Sequence, residues 1–71
     1  MEKIEITTPT IQLDQLLKWA GIAETGGQVK IMLADSLIRL NGTLVKERRK
    51  KIHPDDVVEI KGVGIWKVKA V

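Results

Sequence analysis

The chain has no cysteine, tyrosine or phenylalanine, a single histidine (His53), a single serine (Ser36), and only two prolines and two tryptophans. Without cysteine it can form no disulfide, no thiolate metal site and no cysteine nucleophile, and it suits a reducing cytoplasm. His53 has no second histidine, cysteine or tyrosine to orient it or to share a metal, so neither a metal site nor a general base is expected there. Ser36 lacks the strand-turn-helix glycine setting that exposes a nucleophile and reads as a helix-terminating residue. Asp55 and Asp56 are neighbours whose side chains diverge on an extended backbone, which favours a turn and cap role over a shared-proton pair. Gly62-Val63-Gly64 is followed by a charge-alternating strand and not a helix, so it reads as a hairpin turn and not a dinucleotide loop. No enzyme, cofactor or small-molecule substrate is expected. Met1-Glu2-Lys3-Ile4-Glu5-Ile6 alternates charge with isoleucine, with no apolar stretch long enough for a signal peptide or a membrane span. A cytoplasmic protein that meets no membrane is the expectation.

What is present is a chain of 71 residues, 44% apolar and 30% charged, with no linker, repeat or low-complexity tract. That composition fits one folded domain over residues 1–71, expected to be monomeric, and too small to enclose a deep pocket. Charge is unevenly spread. Residues 1–35 carry three basic and five acidic side chains (3 − 5 = −2), whereas residues 36–71 carry nine and four (9 − 4 = +5). Positive charge gathered in one half suits a polyanionic partner.

Ile4 and Ile6 alternate with charge over Lys3–Thr7, the pattern of a short edge strand that Pro9 then stops. From Thr10 the period changes. Leu13, Leu16, Leu17 and Ala20 form the buried stripe of a helix that Thr10 would cap and Gly21 would end. Thr25 and Gln28 have capping-box spacing and open a second, shorter helix with Val29, Met32 and Leu33 on its apolar face, stopping near Asp35. Leu37–Leu40, Asn41-Gly42 and Thr43–Lys46 read as a type I′ hairpin. His53-Pro54-Asp55-Asp56 makes a turn, Val57–Ile60 a strand, and Ile65–Ala70 a last strand with Lys67 and Lys69 on one face. One strand, two helices and then a run of strands point to an α+β fold.

Lys46-Glu47-Arg48-Arg49-Lys50-Lys51 is the densest polar feature, with five cations in six residues. It serves either as a solvated loop or as a phosphate-binding segment whose contacts release counterions. Gly26-Gly27 falls in the first turn of the second helix, where the glycines either permit a tight interhelical bend or let a phosphate approach bare backbone amides. Stacking on single-stranded bases needs exposed aromatics. Here only Trp19 and Trp66 are available, and both are expected in the core. Folded RNA held by backbone and shape fits better.

Leu13-Asp14-x-x-Leu17, Thr25-Gly26-Gly27-Gln28-Val29-Lys30, Ile38-x-Leu40-Asn41-Gly42, then Val45, Ile52 and Asp56-Val57-Val58, taken in order and spacing, resemble the RNA-binding domain named after ribosomal small-subunit protein four. The resemblance covers residues of about 10–60. Gly26-Gly27 and the Arg-Arg-Lys-Lys run are similar to the short bacterial YaaA/YbcJ type. It implies two short N-terminal helices packed on a small, mainly antiparallel sheet, the alpha-L motif, docking on structured RNA such as ribosomal, precursor or transfer RNA. By that resemblance Gln12, Lys18, Gln28 and Lys30 lie on the helical part of the RNA face and Arg39 and Asn41 on the hairpin, and the helix-start argument adds Gly26 and Gly27. Lys46, Arg48, Arg49, Lys50 and Lys51 extend it. Four positions depart from the wider family: Gln12 and Gly26 stand where arginine is frequent, and Ser36 and Asp55 where glycine is usual.

The expected role is ribosome assembly or RNA handling, with structured RNA and the ribosomal particle as expected partners. The main alternative is a protein-interaction module whose basic patch meets an acidic partner. A DNA binder is disfavoured because the second helix is short and opens on two glycines. A sulfur-carrier or ubiquitin-like reading needs a terminal Gly-Gly, and the sequence given ends Lys69-Ala70-Val71.

Overall fold

Isoleucines alternating with charge make the first strand, β1 (Glu2–Ile6), in the computed structural model, which describes residues 1–71. There follow β2 (Ile11–Gln12), α1 (Leu13–Trp19), α2 (Gly26–Ala34), β3 (Ile38–Leu40), β4 (Thr43–Leu44), β5 (Lys51–Ile52), β6 (Val57–Ile60) and β7 (Gly64–Ala70). Five strands form one sheet in the order β1-β7-β6-β3-β4, and β2 pairs with β5 in a separate two-stranded ribbon. Pairing is antiparallel except between β1 and β7. The α+β architecture with a mainly antiparallel sheet is thus as expected, but two strands precede the helices, so the helices do not open the chain.

Strand alternation divides the sheet into two faces. Ile4, Ile6, Ile38, Val58, Ile60, Trp66 and Val68 are buried in one cluster with Leu13, Leu16, Leu17 and Val29 of the helices. Each fully buried aliphatic side chain contributes about 1.5–3 kcal/mol, and together this one cluster supplies most of the favourable energy of a domain this small. Lys3, Glu5, Arg39, Glu59, Ile65, Lys67 and Lys69 occupy the opposite face, away from both helices.

Helix α1 departs from expectation at its start, whereas its end closes at Gly21 as expected. Thr10 does not cap it, because Ile11 and Gln12 are drawn into β2 opposite Ile52 and Lys51, and Gln12 becomes an N-cap residue without a side-chain bond. The first-turn amides of Leu13 and Asp14 instead donate to the carbonyls of Lys50 and Arg48, at 2.8 and 3.0 Å. At the other end the Ile22 amide donates to Leu17 and the Gly21 amide to Lys18, a Schellman closure with Gly21 at φ 75°. That closure ends the helix at Trp19 and leaves Ala20 exposed, outside the core stripe.

Trp66 is buried as expected, with its indole N–H donating to Glu2 at 2.9 Å, but Trp19 is 61% exposed. The Trp19 indole N–H donates to the Glu5 carbonyl at 2.8 Å. Val71 takes the Ile6 carbonyl, so alternation places the Glu5 carbonyl on the free edge of β1, and the indole covers that edge.

Helix α2 begins as expected: the Thr25 hydroxyl accepts from the Gln28 amide at 3.2 Å, and the Gln28 side chain accepts from the Glu24 amide. It closes in a second Schellman arrangement, Leu37 to Met32 and Ser36 to Leu33, with Ser36 at φ 58°. Asn41 (φ 51°) and Gly42 (φ 86°) form the two-residue loop between β3 and β4, the signature of a type I′ turn. Pro54 and Asp55 (φ 73°) turn the chain into β6, with the Asp56 amide donating to His53.

Candidate nucleic-acid interface

The β2–β5 ribbon positions the basic segment. By pairing Gln12 with Lys51 it brings 46–51 against the start of α1, where the Lys50 and Arg48 carbonyls close the helix's first turn. Arg48 is the one cation of the run with an acidic partner: its Nε lies 3.7 Å from the Asp14 carboxylate. Asp14 also accepts from the Gln15 amide at 2.9 Å. The Arg48 guanidinium reaches past Asp14 to Gly26, where its Nη1 lies 3.6 Å from the place a Cβ would take. Arg48 therefore stands between the first turns of both helices. Lys46, Arg49, Lys50 and Lys51 are exposed and form no ion pair.

Neither Gly26 nor Gly27 has a positive φ, and a Cβ at either would make only ordinary contacts, so the backbone does not demand glycine there. Their cost is helix propensity, at most about 1 kcal/mol each relative to alanine. What they leave is two amides without a hydrogen-bond partner at the positive end of α2, beside a guanidinium.

The other expected site residues divide. Gln12 is exposed beside Lys51, and Lys30 lies one turn beyond Gly26 on α2. Lys18 is exposed in the last turn of α1, at the opposite end from the basic segment. Gln28 spends its carbonyl oxygen and its amide on the cap. Arg39 lies on the sheet face away from the helices, its Nη1 3.4 Å from the Gly42 carbonyl. Asn41 is taken up by the fold: it donates to Asp56 at 3.0 Å, accepts from the Val57 amide at 2.8 Å, and its own amide donates to Val57 at 2.8 Å. Sequence reasoning missed Asp14, which fixes Arg48. The available signal was an acidic residue set between buried Leu13 and Leu16 in a helix's first turn.

The chemistry available is anion binding: four free cations, one restrained guanidinium and two open amides. No group of three or more histidine, cysteine or acidic side chains comes together to hold a metal, and no helix is long and apolar enough to cross a membrane. The chain is similar to known proteins along most of its length. A family model described as the S4 domain matches residues 4–68. "Probable ribosome maturation protein RlbA" of Bacillus subtilis (strain 168) is 37% identical over 65 residues, 92% of each chain. "Putative RNA-binding protein YbcJ" of Escherichia coli (strain K12) is 33% identical over 57 residues, covering 80% of this chain and 81% of that one.

Proposed function

The chain belongs to the S4 domain family, and from that premise we propose that it is a non-catalytic protein of the cytoplasm that binds folded RNA and acts in ribosome maturation. The observation that carries the reading is the basic segment, whose Lys46, Arg49, Lys50 and Lys51 are unpaired and whose Arg48 guanidinium reaches the open start of α2 at Gly26. Amides and helix dipole hold one phosphate close, while the lysines and Arg49 neutralise its neighbours along the strand. A shape-reading surface of this kind suits paired or folded RNA, since its only exposed aromatic, Trp19, is bound to the edge of β1. The names of the two relatives, a ribosome maturation protein and an RNA-binding protein, support ribosomal or precursor RNA as the ligand.

Titrating a folded ribosomal RNA fragment at several salt concentrations tests the reading. Affinity should fall linearly with log salt, and alanine at Lys46, Arg49, Lys50 and Lys51 together should reduce the slope by about one for each phosphate contact removed. Arg48 is left in place because its loss would strand Asp14. An unchanged slope and affinity in that variant would overturn the proposal.

A further inference from the structure

A groove of about 500 Å³ lies between the β3–β4 hairpin and the basic segment, with Leu40, Leu44 and Val45 among its lining residues and Lys46 and Lys50 beside them. The RNA surface described above does not account for it. Leu40 and Leu44 are only half-buried, so apolar surface stays open to water beside two lysines that have no acidic partner.

β4 is the last strand of the sheet, and its outer edge has no neighbour. Val45 donates to the Ile38 carbonyl at 3.0 Å, and Arg39 is opposite Leu44. Antiparallel alternation therefore turns the Leu44 N–H and C=O outward, a donor beside an acceptor on the free edge. The hydrogen-bonding edge of a nucleobase offers the same pair in complementary order. A peptide is a poor match, because β4 has only two residues and strand addition needs a longer run.

We propose that this groove receives one unpaired nucleotide of the bound RNA. The base lies on Leu40, on the core-side face of the hairpin, with its polar edge toward the Leu44 peptide groups, and its phosphate is held by Lys46 and Lys50. Glu47, which also lines the groove, sets against a second anionic group there. The volume lies within the range of sites that hold a small ligand, about 300–1,000 Å³. The inference rests on the RNA-binding reading and adds a preference to it: a stem interrupted by an unpaired residue is favoured over a continuous one.

Two RNAs distinguish the possibilities, a fully paired stem and the same stem carrying one unpaired 2-aminopurine, each titrated at low salt by fluorescence anisotropy. The interrupted stem should bind about fivefold more tightly, with a change in 2-aminopurine emission as the base leaves water. Leu44→Pro, which removes only the outward N–H and no ladder hydrogen bond, should abolish the preference and the emission change while leaving affinity for the paired stem as it was. Equal binding of both RNAs by the unmodified protein would overturn the groove assignment and leave the RNA reading standing. Failure to bind either RNA would remove the premise itself.

Discussion

The Asp14 carboxylate stands 3.7 Å from the Arg48 guanidinium, and the same two residues meet a second time where the Asp14 amide donates to the Arg48 carbonyl at 3.0 Å. One contact ties a side chain to α1 and the other ties the backbone of the basic segment to it. Arg48→Ala should break only the first. Its side chain is 33% exposed and that of Asp14 only 12%, so the loss should exceed a surface ion pair but fall well short of a buried one, about 1 kcal/mol. A lower urea midpoint at unchanged slope would show it.

Asp14→Asn should separate stability from binding. Removing the carboxylate costs the fold a fraction of a kcal/mol up to about 1 kcal/mol, yet it frees Arg48 and removes the negative charge paired with it. RNA affinity at low salt should therefore rise a few-fold while the midpoint of unfolding falls. A parallel fall in both would mean that Arg48 contributes only when Asp14 holds it in place.

Ser36 closes α2 at φ 58°, a conformation in which a serine Cβ is strained. Ser36→Gly should stabilise the protein by about 0.5–1 kcal/mol, the strain relieved being partly offset by the greater freedom of glycine in the unfolded chain. Thermal unfolding should show a midpoint several degrees higher. No change would mean that the serine is accommodated at no cost.

Ser36 and Asp55 also show what the sequence made legible. The helix end expected at Ser36 and the turn expected at Asp55 are both present, and at each the chain turns through positive φ. The Asn41-Gly42 hairpin and the Thr25 cap were readable for the same reason, since each depends on residues adjacent in the chain. The β2–β5 ribbon was not, because two short segments from distant parts of the sequence carry no periodic signal. Yet that ribbon moves the α1 cap from Thr10 to the carbonyls of the basic segment. The density of charge in 46–51 was legible, whereas its position against two helix starts depended on the ribbon. Trp19 was misplaced in the core because nothing local announces that the Glu5 carbonyl on an open strand edge needs a donor.

Asp55 carries a pH dependence with a definite sign. The Lys69 ammonium, 2.9 Å away, hydrogen-bonds its carboxylate and adds favourable charge, holding the carboxyl below its usual range. A carboxyl with a lowered value in the folded state adds stability above its unfolded value, near 4, and loses it as pH falls through the lower folded value. Asp55→Asn, which tolerates the same φ, should be less stable than the parent at neutral pH and match it in strong acid. Unfolding curves at neutral pH and below about pH 3 would show the gap closing. A gap constant with pH would assign the effect to the turn and not to the ion pair.

Asn41 was expected to contact RNA, and its side chain is already committed to Asp56 and Val57. Asn41→Ala removes two hydrogen bonds, each contributing about 1 kcal/mol, and places a Cβ-bearing residue with no compensating bond at φ 51°. The expected loss is about 2–3 kcal/mol, a large share of the stability of a domain this small. Asn41→Gly keeps the turn conformation at no steric cost, so it should lose about 1–2 kcal/mol through the hydrogen bonds alone. At a temperature where the glycine variant remains folded, its RNA affinity and salt slope should match the parent's, because the loop it sits in stays shaped and no phosphate-binding group is removed. If affinity falls more than about tenfold while the fold persists, Asn41 must exchange Asp56 for RNA on binding, and the hairpin tip belongs to the interface after all.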